Sequence, residues 1–599
     1  MDFETKSLIA LYQQNRFNEA LSLASRIVLN QPENDQAYNI MGLVSLGLSD
    51  TEQALSCFNN AIKLNSRSLD YQLNLSLAYS SSDRLDKAVK VLNKIIKKNK
   101  KYYLAHNALG SVYFKEKKYE YAIDNFKKAI AIRDDYTEAI YNLANVLSLK
   151  GDFSSAINCY KKLYSKNTND LEVKKTLVQL YLKLNNTEQA LEISAGDAEC
   201  VYLIAAYEEM QSSLDKANLY IDSCIEFNRD NLKYINLKAT ILRRMGDASE
   251  AIKVIENANY SIDVNTDIET KVCVEFELGK SHDKNKSYDE AFKHYQLANN
   301  LNNQINSIDS PKVTSFIKHL DIVNETLTED WIGEWCIDYD YISPRPVLFM
   351  VAFPRSGTTL LDQVVDGHSE FAVMEELPII GDVIKEAIKI TGGQYPALLP
   401  KLNKNLLNRL RKYYFKRVDE QFSYDKRKML VDKLPLNVIE LEIIHLLFPQ
   451  SKVILSMRHP YDVCLSNYMQ HYSANEAMTN FNTLESTAAT YHKVMRLWAK
   501  YIALFPCMQT HVVCYEKLVD DIETEVKALV DFLGVEWQSK MLDFHLHALT
   551  RRSLNTPSYQ QVTQPVYTSS RYRWKNYENH IVNHFKCLNV YVEAFGYEV

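Results

Sequence analysis

Small and large apolar residues recur along the first half of the chain with a fixed period. Alanines stand at Ala20, Ala54, Ala88, Ala122, Ala156 and Ala190, each 34 residues from the next. Twelve positions before four of them lie the small residues Gly42, Ser76, Gly110 and Ala144, whereas Leu8 and Val178 break this pattern at the first and last. Four positions after three of them, Phe58, Phe126 and Tyr160 supply a bulky ring. Two antiparallel helices approach closely only where both carry small residues, and the large residue then fills the space toward the next pair. Each such hairpin leaves an apolar face for its neighbour to cover. After Ala190 the register slips, with Ala217, Ala251 and Ala291 following at 27, 34 and 40 residues and Ala205, Ala239 and Gly279 as their small partners. About nine helical hairpins are predicted over roughly residues 3–304, with irregular joins around 194–200 and 258–270.

The period ends near residue 304. An aromatic and acidic stretch follows, and Pro344 and Pro346 mark a boundary, so 305–345 reads as a connector or docking element. Beyond it the pattern changes. Val347 to Ala352 (VLFMVA) is a continuous apolar run, as expected of a strand buried on both faces. Lys452 to Met457 (KVILSM) and the run THVVCY ending at Tyr515 repeat this signature, and each precedes a helical pattern. Strand, turn and helix in succession predict a parallel α/β sheet. The organisation is therefore an all-α array at 1–304, a connector at 305–345 and an α/β domain at 346–599.

Composition supports this picture. The 599 residues include only 15 Gly and 14 Pro, each about half or less of ordinary usage, which favours long helices. The net charge of −6 comprises about +1 for residues 346–599 and about −7 for the rest, which argues against a general nucleic-acid binder. Ten Cys are scattered with no C-x-x-C pair, as expected of reduced thiols in a cytoplasmic protein rather than a metal site. MDFETKSLIALYQQ is not a secretory signal, and no apolar run is long enough to predict a transmembrane helix.

The 34-residue period with its small and large positions resembles the tetratricopeptide repeat, or TPR. That resemblance implies an array that binds a protein or peptide along its surface. The strongest chemical signal is Pro354-Arg355-Ser356-Gly357-Thr358-Thr359-Leu360-Leu361, directly after the first buried strand. A glycine turn into a helix N-terminus presents unpaired backbone N–H groups and the positive end of the helix dipole to an anion. Arg355 adds a charged fork, and Ser356, Thr358 and Thr359 add hydroxyls. The triphosphatase loop requires Gly-Lys-Ser/Thr, and here Thr358 follows Gly357.

PRSGTTLL after a buried strand resembles the 5′-phosphosulfate loop of sulfotransferases, a P-loop-like fold with a parallel sheet. The resemblance implies 3′-phosphoadenosine 5′-phosphosulfate (PAPS) as co-substrate and no metal. Arg458 after the second strand and Ser466 eight residues on match the family's 3′-phosphate motif. Glu375 and Glu376 form a carboxylate pair about twenty residues past the loop, a pairing that can raise a pKa and suit a general base. Protein-tyrosine sulfotransferases carry such a pair, which implies Glu376 as base, although Leu377 and Pro378 stand where that family has Thr-Arg. By the same resemblance Lys433 stabilises charge on the departing phosphate, Ser558 assists the transferring group, and Tyr515 and Arg573 contact the nucleotide, with Arg571 nearby. His368 reads as structural.

These readings converge on a PAPS-dependent sulfotransferase whose acceptor hydroxyl belongs to protein tyrosine and whose array recruits the acceptor or a partner. A glycan or lipid hydroxyl is the alternative acceptor. A scaffold with an inactive nucleotide-binding domain is the alternative of another class.

Overall fold

The structure is a computed structural model that describes residues 3–258, 267–544 and 571–597. Among these, eighteen helices from Phe3 to Ile305 form nine consecutive hairpins. The alanines at 20, 54, 88, 122, 156, 190, 217, 251 and 291 are all fully buried. The same register fixes the turns. A left-handed residue lies five positions before each alanine: Asn15, Ser49, Asp83, Lys117, Gly151, Asn185, Ser212, Gly246 and Lys286. The slips of 27 and 40 residues therefore lengthen or shorten the joins between hairpins and leave the hairpin turns unchanged. At the first slip the helix Thr187–Ser194 is cut to eight residues. There Ala195 and Gly196 turn left-handed and Asp197 caps the next helix.

The small and large positions meet directly. A Cβ placed on Gly110 would lie 2.6 Å from Cε1 of Phe126, whose ring is almost completely buried. Gly110→Ala is therefore expected to destabilise the repeats by about 1–3 kcal/mol through overpacking. Thermal unfolding of the full chain measures this, and adding Phe126→Leu should recover most of the loss. An unchanged midpoint would show that the ring moves freely.

Contacts divide the chain into two compact units, Met1–Leu237 and Lys238–Val599. The second holds a five-stranded sheet: β1 (Val347–Ala352), β2 (Phe371–Glu375), β3 (Met429–Lys433), β4 (Val453–Met457) and β5 (Thr510–Cys514). The strand order is β2-β3-β1-β4-β5, and every pair is parallel. Both faces are covered, which explains the unbroken apolar run of β1. Val347, Phe349 and Val351 enter one core cluster, and Leu348 and Met350 enter the other.

The first of those clusters extends beyond the α/β domain. It takes in Val272, Phe276, Phe292 and Tyr295 of the last helical hairpin, and Phe316, Leu320 and Val323 of the helix Pro311–Thr326. That helix packs on Leu484–Leu504, where the Asn324 side-chain amide donates to the Lys493 carbonyl at 3.3 Å and Asp321 pairs with Lys493. Segment 305–345 thus contributes to the core of the second unit. No helix among the described residues is long and apolar enough to cross a membrane.

Candidate active site

In a parallel sheet wound on both sides, ligands bind beyond the carboxyl ends of the strands, where the strand order reverses. Apart from Ser466, which lies in the helix after β4, the described candidate residues up to Tyr515 stand at or just past those ends. β1 leads into the Arg355–Thr359 loop, β2 ends at Glu375, β3 ends at Lys433, Arg458 follows β4, and Tyr515 follows β5.

The loop after β1 is tightly bound. Gly357 has φ of +92° and caps the helix Thr358–Asp366, while Arg355 is also left-handed at +70°. A Cβ at Gly357 would lie 2.5 Å from Cδ2 of Tyr515, so the ring of Tyr515 closes directly over the glycine. Only glycine meets both conditions. The Ser456 hydroxyl donates to the Ser356 carbonyl at 2.8 Å, and the Asn467 amide donates to the Pro354 carbonyl at 2.8 Å. Asn467 also accepts from the Tyr472 hydroxyl at 2.7 Å. Ser356, Thr358 and Thr359 are buried at the start of the helix.

The two expected phosphate motifs meet. Nε of Arg355 donates to Oγ of Ser466 at 3.1 Å, which joins the first loop to the helix Pro460–Tyr468. Arg458 lies over the Tyr515 ring, 5.0 Å from its centroid, with Nη2 3.4 Å from Oδ2 of Asp462. The other oxygen of Asp462 accepts from the Trp574 backbone N–H at 2.8 Å. Asp462 therefore orients Arg458 while the aromatic face supports it.

Lys433 and Glu376 form the second centre. Nζ of Lys433 lies 2.9 Å from Oδ2 of Asp362 and 3.0 Å from Oε1 of Glu376. Lys433 and Asp362 are fully buried, whereas the side chain of Glu376 is 38% exposed. Burial pushes the lysine pKa down, but Asp362 and Glu376 outweigh it, and the pKa stands above the ordinary value. Gln363 bonds the other oxygen of Asp362 at 2.7 Å and reaches Glu375 at 3.4 Å. Glu376 is left-handed, with φ of +45°, and its N–H donates to the Lys433 carbonyl at 2.7 Å. Backbone in this region is costly for a non-glycine residue and clusters at functional sites. The result is a charged lysine with one carboxylate beneath it in the core and one beside it facing solvent.

Sequence reasoning did not single out Asp362, Asn467 or Tyr472. Tyr472 is half-buried beside the loop, where its hydroxyl donates to Asn467, and burial pushes its pKa up. All three are ordinary polar residues in sequence, and only long-range folding gives them their partners. His368 is structural, as expected: its ring is buried and Nε2 lies 2.8 Å from the Glu536 carbonyl. Ser558 lies outside the described residues. Arg573 is 2.9 Å from Asp283 of the last helical hairpin, and Arg571 pairs with Asp520. Among the described residues no group of three or more His, Cys, Asp or Glu could hold a metal ion.

Residues 346–539 match the model of the sulfotransferase family. Residues 41–100 and 137–167 match tetratricopeptide repeat models, and 110–151 match a TPR repeat model. The chain is similar to an uncharacterized protein of Aquifex aeolicus (strain VF5), with 29% identity over 343 residues covering 55% of this chain and 43% of that one. It is also similar to protein-tyrosine sulfotransferase 2 of Gallus gallus, with 25% identity over 255 residues covering 40% and 65%. The chain thus spans less than two thirds of the length of these curated relatives. A solved thermophilic TPR protein of Thermus thermophilus is 24% identical, with a TM-score of 0.28, over 30% of this chain and 97% of that one.

Proposed function

We propose that the sulfotransferase-family domain of this chain transfers a sulfuryl group from PAPS to a hydroxyl, that of a protein tyrosine, and that the repeat array recruits the acceptor or a partner protein. The observation that carries this reading is the contact between Lys433 and the exposed carboxylate of Glu376, beside the helix of the phosphate loop. A bound PAPS supplies the electrophilic sulfur and a bisphosphate leaving group. The loop fits such a ligand, because the left-handed Gly357 leads straight into the N-terminus of the helix Thr358–Asp366 and Arg355 with Ser466 offers donors to an anion.

The roles of the chain's own residues follow from their placement. The loop amides and the Thr358 and Thr359 hydroxyls hold the anionic 5′ end, with Arg355 above them. Arg458 and Ser466 hold the 3′-phosphate. Lys433 keeps its proton and stabilises negative charge on the departing oxygen. Glu376 accepts the acceptor's proton at its exposed carboxylate. Tyr515 packs against the loop and keeps it closed. By resemblance, Ser558 is proposed to help stabilise the transferring group and Arg573 to contact the nucleotide. Departure from the tyrosine-enzyme pattern at Leu377 and Pro378 supports a second reading, in which the hydroxyl belongs to a glycan or lipid.

Purified full-length protein with sulfur-labelled PAPS and arrays of peptides, glycans and lipids tests this. Label on tyrosine peptides is the expected result. Label confined to carbohydrate or lipid would sink the tyrosine assignment. Arg458→Ala is expected to weaken adenosine 3′,5′-bisphosphate binding roughly 10-fold or more, as read by calorimetry. Nucleotide binding without transfer to any acceptor would favour the scaffold reading.

A further inference from the structure

Glu516 is a buried carboxylate that the roles assigned so far do not use. It lies in the first turn of the helix Tyr515–Asp520, directly after β5, and is only 4% exposed. A carboxylate buried this deeply needs partners for its oxygens. Oε1 accepts from the His459 backbone N–H at 3.0 Å, and His459 is the residue after Arg458. Oε2 accepts from the Tyr597 hydroxyl at 2.7 Å, and Sγ of Cys514 lies 3.4 Å from it. A glycine turn brings Tyr597 back to this point. Gly596 is left-handed, with φ of +73°, and its N–H donates to the Glu593 carbonyl at 3.0 Å. The Tyr597 N–H donates to the Val592 carbonyl at 2.9 Å, which completes the termination of the helix Asn589–Ala594. The Tyr597 ring then lies beside that of His459, with centroids 5.1 Å apart, and His459 also stacks on Trp574 at 5.2 Å.

We propose that Glu516, held by Tyr597, is a positioning residue for Arg458 and sets the preference of the site for a nucleotide that carries a 3′-phosphate. This rests on the reading of the domain as a PAPS-dependent transferase with Arg458 at that phosphate. Arg458 is held in two ways. Asp462 at 3.4 Å and the Tyr515 ring at 5.0 Å act on its guanidinium. Glu516 acts on the peptide that follows it, and so on the backbone from which the side chain springs. The same residue is joined in sequence to Tyr515, whose ring closes over Gly357. Glu516 therefore fixes the arginine and its aromatic support relative to each other. A carboxylate suits this place, because a charge-assisted bond to an N–H is roughly twice as strong as a neutral one. Tyr597 satisfies the second oxygen. Burial and the neighbouring Glu516 push the Tyr597 pKa up, so its hydroxyl keeps the proton and remains the donor. A guanidinium recognises a phosphate through a planar fork, so a tilt of its backbone weakens that contact before any other.

Calorimetry of the full chain with two nucleotides tests the assignment. Adenosine 3′,5′-bisphosphate carries the group in question, and adenosine 5′-phosphate reports the rest of the site. Glu516→Leu is expected to raise Kd for the bisphosphate roughly 10-fold and Tyr597→Phe roughly threefold, each with less than about a twofold change for the monophosphate. Glu516→Gln, whose amide oxygen can still accept from the His459 N–H, should stay within about threefold of the wild type. Tyr597→Phe keeps the ring and serves if the leucine variant does not fold, with circular dichroism as the check. Equal losses for both nucleotides in folded variants would show a merely structural role and overturn this inference. Unchanged bisphosphate binding in those variants, with loss in Arg458→Ala, would also overturn it and leave the function standing. Absence of nucleotide binding by the wild-type protein would overturn both.

Discussion

Lys433→Met is expected to destabilise the second unit by about 3–5 kcal/mol and to remove transfer at the same time. The lysine is fully buried and lies 2.9 Å from the equally buried Asp362. Removing its ammonium strands a carboxylate in the core, which is far more costly than losing a surface ion pair. A second substitution separates the two roles. Lys433→Met with Asp362→Leu removes the stranded charge and should return most of the unfolding free energy, read by urea denaturation. Turnover should stay lost, because no cation remains at the departing oxygen. If the double variant regains transfer, Lys433 is a structural cation and the proposed mechanism loses its electrostatic centre.

Glu376→Gln is expected to lower turnover by about 10²–10⁴-fold while leaving affinity for adenosine 3′,5′-bisphosphate within a few-fold. The glutamine is isosteric, and its amide oxygen can still accept from Lys433 as Oε1 does at 3.0 Å, so the local structure has reason to persist. What disappears is a group able to take a proton. Glu375 provides the internal control. It lies beside the pair in sequence but points to Gln363 at 3.4 Å, so Glu375→Gln should cost much less. Equal losses at the two positions would reassign the base.

The repeats were legible because their physics is local. The alanine register marks the buried positions through both slips, and the structure adds a left-handed turn residue five positions before each alanine. β1, β4 and β5 were legible as apolar runs before helical patterns. β2 and β3 were not read as strands, since FAVME and MLVDK are short and end in charged residues. Those endings are Glu375 and Lys433, so the residues that carry the proposed chemistry also obscure the elements that bear them. Asp362 lies in mid-helix and meets a lysine 71 residues away, a pairing that no local pattern announces. The segment 305–345 read as a connector because Trp, Asp and Glu dominate its end. Its buried Phe316, Leu320 and Val323 belong to an amphipathic helix that packs on the core.

The end of the sequence period and the seam between compact units are different places. The period stops near 304, whereas the second unit begins at Lys238. Repeat arrays are usually regarded as cassettes that evolution can lengthen, shorten or exchange without disturbing an attached domain. Here the last hairpin, residues 268–305, is an exception, because its side chains enter the core of the second unit. An exchange made where the repeats end would carry off the helix that supports His471 and pairs with Arg573. The last hairpin is therefore part of the folded body that carries the candidate site, and its removal is expected to cost that body stability.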